Sequence, residues 1–561
     1  MWAITRRIPK ECAIIACLFG AAPTGLLYGF SLYSEALRNK FNLTDGELLN
    51  ISTLPSAMGF CGPFVGAAAQ TLSPRAALVV GAAIMAFCQG MMYAVSVDAV
   101  HLGQPETALP VLSCLSYVGM ATITSVVFSI PVHHYQHRRG EAIALVKAFV
   151  GLAGAAVAQI YWLWLGYRRD LKPSDPESLT GILLWVGVIV VTVFVCVVLV
   201  PAQAVNDPAK ESRARLNMLF WMLLAWGICA TVVGVVHLPA VHRILAVSLL
   251  VLLVAPLALL AVWGASGERT STAPAEACFE REESASFVQM IRSLDAWCLF
   301  LSYLGTIGGG LFLSSSLAQI LKAGGNSTTE ASVLAQTLYS TGNMLGRLTG
   351  MGPSDALVRR GLPRPLFVGV LLLGMAFSNF MFLLLPATGG SEIVIAVASF
   401  AGGMSFGSTW PHMVIITSEI FGSRNLQTNY MFYDGCVACI GSLVFARFLA
   451  SGVYQAHVGP NNECVGASCF RITHVVVLLT NLVGLLGVLA VCCRNANLYG
   501  SIGESIRDAA TGSKNLLDAR EQSLPTFAAG QSLTLGAEDN AAEKTTHESS
   551  GVVGASIDGP S

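Results

Sequence analysis

The chain has 561 residues, of which 54% are hydrophobic and only 12% charged, and its mean hydropathy is +0.64. A soluble globular domain carries about 25% charged residues, so composition excludes a soluble fold. The formal net charge of −1 gives no basic surface for nucleic acid and suggests no acidic partner.

Apolar residues fall in blocks of roughly 20, the length that crosses a bilayer as a helix. In chain order the expected spans are 11–36, 48–72, 76–97, 109–130, 141–165, 181–200, 216–236, 244–263, 294–321, 331–351, 366–385, 393–417, 430–453 and 474–493. That makes fourteen, with no strand alternation, and the expected class is an all-α multi-pass membrane protein. Residues 1–200 form a first bundle of six spans. Residues 201–292 are cytoplasmic linkers around an inserted transmembrane hairpin, 216–263, which turns at "HLPAVHR". Residues 293–494 form a second bundle of six. Residues 495–561 are a tail rich in Ala, Gly, Ser, Thr and Glu, with too little apolar surface to fold alone, and are expected to be disordered. Two blocks of six spans joined on one side of the membrane are the layout of a secondary transporter with its site between the halves.

With the N-terminus inside, Lys and Arg in the inner segments outnumber those in the outer loops by about two to one. Cytoplasmic N- and C-termini are therefore expected. No short apolar core with a small-residue cleavage site precedes the first span, so no cleavable signal is expected. Plasma membrane and endomembrane, vacuolar or lysosomal, are not distinguished. Of the 15 cysteines most lie in spans, where a thiol is a small hydrophobe, and none makes a metal pattern. Cys464 and Cys469 differ, because the outer loop "GPNNECVGASCFR" faces a compartment that is often oxidising, and a disulfide is expected there. Sequons at Asn42, Asn50 and Asn326 all fall at outer ends of spans. "YGSI" from Tyr499 has the form of a tyrosine sorting signal, a pattern that arises often by chance.

"RRGEAIALVKAFVGLAGAAVAQIYW" places Lys147 two turns inside the fifth span. A charge at that depth costs about 2.5–3.5 kcal/mol on insertion scales. Lys147, Gly151, Gly154 and Ala158 share a helical face on which another helix can approach closely. Val146, Val150, Val157 and Ile160 form a branched aliphatic face suited to lipid. Snorkelling to the cytoplasmic interface, a structural ion pair and a substrate or coupling role all account for the lysine.

Other spans carry polar stripes. In the first, Thr24, Tyr28, Ser31 and Glu35 align. In the tenth, Gln336, Ser340, Asn343 and Arg347 align beside a seam of Gly342, Gly346 and Gly350. In the twelfth, Ser405, Thr409 and His412 align, with Glu419 beyond them. Lipid would penalise each stripe, so a shared water-filled cavity is expected. A histidine changes charge near neutral pH, which makes His412, with Asp434 and Glu419, a coupling candidate. Glu419 opens a cytoplasmic loop and fits a gate. Asp434 has Arg424 or Arg347 as an expected partner, and His412 follows Pro411 and could bond the kink.

"TGLLYGFSLYSEALRNKF", "RRGEAIALVKAFVGLAGAAVAQIY", "WPHMVIITSEIFGSRNLQTNY" and "CVGASCFRITH" resemble motifs of the nodulin-like transporters of the major facilitator superfamily. The resemblance covers most of residues 25–480. It implies the two-bundle fold of 6+6 helices with alternating access, the hairpin being an addition. The superfamily's first loop motif is altered here, with Gln70 near the acidic position and Arg75 alone. The second-half counterpart keeps Arg347, Asp355, Arg359 and Arg360. "GNMLGRLTG" looks like the helix of monocarboxylate transporters that holds a substrate-facing arginine, which Arg347 would match; lying about one turn from the cytoplasmic end of its span, Arg347 also fits a structural role at the gate. The acidic residue one turn earlier is Asn343 here, and the first-helix lysine of those proteins is replaced by Leu32.

These observations predict a secondary active transporter of a small solute, an organic anion or monocarboxylate being the class that suits the buried cations, with a proton as the coupled ion to test. Lys147, Arg347, Asn343 and Tyr28 are the expected substrate residues. His412, Asp434, Glu419 and Asp355 are the expected coupling or gating residues. Expected partners are the substrate and the bilayer, with a monomeric protein, no cofactor, no metal and no nucleic acid. The alternative is a transporter-derived sensor or scaffold that works through its tail. No catalytic set supports an enzyme.

Overall fold

The computed structural model describes residues 13–26, 30, 33–135, 138–166, 176–200, 213–235, 284–326, 328–459 and 464–507. The expected eighth span and the substrate candidate Tyr28 lie outside the described residues, as do 511–561. Residues Met1–Ala510 form one compact unit.

Fourteen helices serve the description: α1 (Ala13–Ala21), α2 (Gly62–Thr71), α3 (Pro74–Ser96), α4 (Pro105–His134), α5 (Arg139–Gly166), α6 (Thr180–Leu199) and α7 (Arg213–Val235) in the N-terminal part, then α8 (Leu294–Tyr303), α9 (Gly309–Ala323), α10 (Thr329–Thr349), α11 (Pro365–Leu384), α12 (Glu392–Phe421), α13 (Leu426–Met431) and α14 (Arg471–Arg494). Among the described residues, eight helices are long and apolar enough to cross a membrane. The expected first and second spans are segmented instead. Pro55 and Pro63 divide the second into Asp45–Thr53, Leu54–Cys61 and α2, since each proline lacks the N–H that a continuous helix requires. α10 fails the hydropathy test because its sequence carries the polar stripe noted above.

Local starts follow the sequence. Ser73 caps α3 with Pro74 in the first turn, and Thr328 accepts a hydrogen bond from the Ala331 N–H at the head of α10 (3.2 Å). Both satisfy orphan N–H groups of a first turn. On α14, Val477, Asn481, Gly484 and Val488 face inward, while Leu479, Leu482 and Leu486 are exposed. An exposed apolar stripe on so many long helices is the surface that hydrocarbon covers.

Three expectations are corrected. Val146 and Val150 are buried rather than turned to lipid, because α5 is flanked by α1, α4, α7, α10 and α12. A Cβ built at Gly151 meets nothing within 4 Å, so the small-residue face beyond Lys147 borders open space there, not a close neighbour. The tail is ordered beyond residue 495: residues 496–507 are helical, and Tyr499 and Ile502 pack against Val358. Burial of Tyr499 also withdraws "YGSI" from any soluble reader. In the loop before α14, Cys464 and Cys469 are disulfide-bonded with Cα atoms 5.8 Å apart, and the Gly466 N–H donates to the Ala323 carbonyl (2.9 Å).

Candidate functional site

α10 lies against α12 through glycines. A Cβ at Gly342 or Gly346 would stand 2.4 Å from the Phe400 carbonyl oxygen or 2.3 Å from that of Met404. Only glycine permits backbones this near. Asn343 lies in the same contact, its carbonyl oxygen 2.0 Å from a Cβ at Gly407, and Asn343 and Arg347 are both buried. Arg347 Nε donates to Asn343 Oδ1 (3.0 Å), one turn back. Its Nη1 donates to the backbone carbonyl of Lys147 on α5 (2.9 Å). The two sequence-predicted cations, 200 residues apart, are therefore neighbours.

Lys147 is 4% exposed. Its ammonium donates to the Tyr430 hydroxyl and to Asp434 Oδ1 (3.3 Å). It stands 3.8 Å from the centre of the Phe128 ring and 5.1 Å from that of Trp410. Ring faces attract a cation by about 2 kcal/mol or more when the site is dry. Tyr430 also donates to Asp434, four residues on, so Lys147, Tyr430 and Asp434 close a triangle. Asp434 lies in a π-helical turn, Phe432–Val437, that continues α13. Such turns are often found at functional positions. Arg347 shares Trp410 with Lys147, its Cζ 5.9 Å from the ring centre. The Trp410 indole N–H is buried with no acceptor among the described residues.

A second cluster forms where α5 begins and α12 ends. Glu419 accepts from Arg364 Nε (3.1 and 3.0 Å to its two oxygens), from Arg139 Nη2 (3.3 Å) and from the Tyr499 hydroxyl (2.9 Å). Arg364 Nη1 also reaches Ser354 Oγ (2.8 Å) and Asp355 Oδ1 (2.5 Å). Both Asp355 oxygens would lie 3.2 Å from a Cβ at Gly140, so this carboxylate sits at the first turn of α5, where the helix favours an anion. Burial pushes the Tyr499 phenol well above its ordinary value, and the Glu419 carboxylate pushes it further. Beside this cluster the N- and C-terminal helices touch backbone to backbone. Cβ atoms at Gly59, Gly62 and Gly66 would lie 2.1–2.6 Å from the carbonyls of Gly435, Met431 and Gln427. Gln70 donates to the Arg424 carbonyl (2.6 Å), so the altered loop motif still makes a contact across this seam.

The structure thus brings Lys147, Arg347, Asn343 and Asp434 together and sets Glu419 and Asp355 apart in the second cluster. Asp434 pairs with Lys147, not with the expected Arg424 or Arg347. His412 joins neither group. Its Nδ1 lies 2.6 Å from the Ser408 carbonyl and its ring stacks on Phe367 at 5.0 Å. Tyr430, Phe128, Trp410, Arg139 and Arg364 were not singled out from sequence, and Tyr499 only as the start of "YGSI". Tyr430 was within reach, since it precedes Asp434 by one helical turn. The rings were not, because an aromatic residue in a span is ordinarily read as facing lipid or core.

A solved peptide transporter of the POT kind is 15% identical over 89% of this chain and 99% of its own, with a TM-score of 0.50. The proton:xylose symporter XylE of the major facilitator superfamily, bound to 6-bromo-6-deoxy-D-glucose, is 12% identical over 86% of this chain and 95% of its own, with a TM-score of 0.47. These are likenesses of fold. The Arabidopsis thaliana protein NUCLEAR FUSION DEFECTIVE 4 is 22% identical over 542 residues, 87% of this chain and 89% of its own. The chain is all-helical among the described residues, with eight helices long and apolar enough to cross a membrane, and shares its fold with that peptide transporter. A profile described as Nodulin-like matches residues 12–261, and one described as NFD4, C-terminal domain, matches 279–500.

Proposed function

We propose that the protein is a secondary active transporter that moves a small organic anion, a monocarboxylate being the simplest, by alternating access with a coupled proton. The observation that carries this reading is the hydrogen bond from Arg347 to the Lys147 carbonyl, which joins two buried cations from the N- and C-terminal helices. Asp434 pairs with Lys147, and Asn343 orients Arg347. An arginine offers a planar fork and a lysine a point charge, and the orphan Trp410 N–H adds a donor. Asp434 holds Lys147 until a proton neutralises the carboxylate, and the ammonium then becomes available to the anion. This gives one proton per anion and no net charge moved.

The remaining parts fit the same reading. Two six-helix bundles rock about the site, both termini are cytoplasmic, and the Glu419 cluster is the cytoplasmic gate of a monomeric carrier. Reconstituted protein tests it: uptake of acetate, lactate, pyruvate and benzoate is followed with and without a pH gradient. Acid-driven, Arg347-dependent uptake of at least one is expected. Equal uptake of neutral and anionic solutes, or full activity in Arg347→Gln, would overturn the anion site. A sensor working through its tail would instead keep its output without flux.

A further inference from the structure

α7 lies outside the two blocks of six, and its inward stripe is narrow. Leu216, Leu219, Leu223 and Trp226 are buried, while Met218, Trp221 and Ile228 are exposed. The buried set recurs every three or four residues, one side of a helix. That side packs on two helices, α5 and α10, the same two that carry Lys147 and Arg347. The contact with α10 is tight. A Cβ at Gly227 would lie 1.7 Å from Met344 Sδ and 2.6 Å from its Cε. Met344 is the residue next to Asn343, whose Oδ1 orients Arg347 Nε at 3.0 Å.

We infer that α7 is a positioning element for the anion site: through Gly227 and Met344 it sets where Asn343 and Arg347 stand relative to Lys147. This rests on the reading of Lys147 and Arg347 as that site. Met344 Sδ and Cε are the flexible end of their side chain, so a single added Cβ is accommodated by their movement, whereas a branched side chain exceeds that slack and presses on the close-packed α10. The covering helix also keeps hydrocarbon away from the seam between α5 and α10, where both cations are at most 4% exposed. Gly227 is the residue whose side chain, if enlarged, pushes on α10 without touching either cation.

The test uses the full chain in proteoliposomes, with acetate, lactate, pyruvate and benzoate as probes. Gly227→Leu should raise the half-saturating anion concentration by roughly three- to thirtyfold, the range for a displaced supporting contact, with the maximal rate nearly kept. Met344→Ala in the same chain removes the atoms that the leucine overlaps and should restore wild-type half-saturation. A purely structural role would lower the maximal rate and the amount of folded protein with half-saturation unchanged and no rescue. Gly227→Val, a smaller intrusion than leucine, gives the same readout if the leucine variant does not fold. Unchanged half-saturation in both Gly227 variants, or failure of the double variant to recover, overturns the inference. Absence of Arg347-dependent uptake in the wild type is a different failure, that of the anion site itself, and the inference falls with it.

Discussion

The cluster around Lys147 surrounds an ammonium with aromatic rings, whereas the cluster around Glu419 is a network of ion pairs. In the first, Lys147 pairs with Asp434 among Phe128, Trp410 and Tyr430, and Arg347 bonds the Lys147 carbonyl and Asn343. In the second, Arg139 and Arg364 face Glu419 and Asp355. The members of this second cluster hold each other, and where they come from distant segments, as Arg139 and Glu419 do, they hold those segments together. The first cluster leaves the Trp410 N–H without an acceptor among the described residues. Rings and an unmet donor suit the proposed site as ion pairing suits a lock.

The largest expected effect comes from removing the charge of Arg347. Under Arg347→Gln uptake should fall by on the order of a hundredfold, the loss of a desolvated charge contact. Arg347→Lys keeps the charge without the fork and should weaken binding without abolishing it. Uptake against concentration, normalised to protein in the membrane, decides. The second change is made in the lock. Glu419→Gln leaves Arg139 without its carboxylate and Arg364 with Asp355 alone, and removing one partner of a buried pair costs about 3–5 kcal/mol. Thermal melting of the purified protein should show that loss, and an unchanged melting temperature would deny the cluster its holding role.

Asp434→Asn sharpens the comparison differently. It frees Lys147 from its carboxylate, so an anion should bind without waiting for a proton. Uptake at acid and alkaline pH should become equal, and accumulation driven by a pH gradient should vanish while exchange of anion for anion survives. Persistent pH dependence in this variant would move the coupling role away from Asp434.

The two clusters differ also in how they could be read from sequence. Lys147, Arg347, Asn343 and Asp434 stand out because each is polar inside an apolar span, where the bilayer penalises it. Their mutual contact was legible only as a shared cavity, since the pairing of α5 with α10 depends on tertiary packing. The lock was half legible. Glu419 and Asp355 were conspicuous, but Arg364 sits in a loop among other basic residues and looked like part of the orientation signal. Val146 and Val150 misled because branched aliphatics serve lipid and protein neighbours equally well. The tail misled because composition averages over residues 495–561 and hides one buried turn at Tyr499.

That turn gives the smallest expected effect. Tyr499 lies past the last membrane helix, yet its hydroxyl donates to Glu419 Oε2 at 2.9 Å and its ring is fully buried. Tyr499→Phe removes one hydrogen bond to a charged group, worth about 1.5–3 kcal/mol, and leaves the ring in place. Arg364 and Arg139 still hold Glu419, so the lock should loosen without opening. Truncation after Arg507 should leave both stability and flux unchanged. Truncation after Arg494 should cost more than Tyr499→Phe, because it removes the burial of Tyr499 and Ile502 as well. Melting curves and uptake on the three variants test this order. Equal behaviour of the two truncations would detach residues 496–507 from the lock, and loss of flux on truncation after Arg507 would shift the function toward the tail.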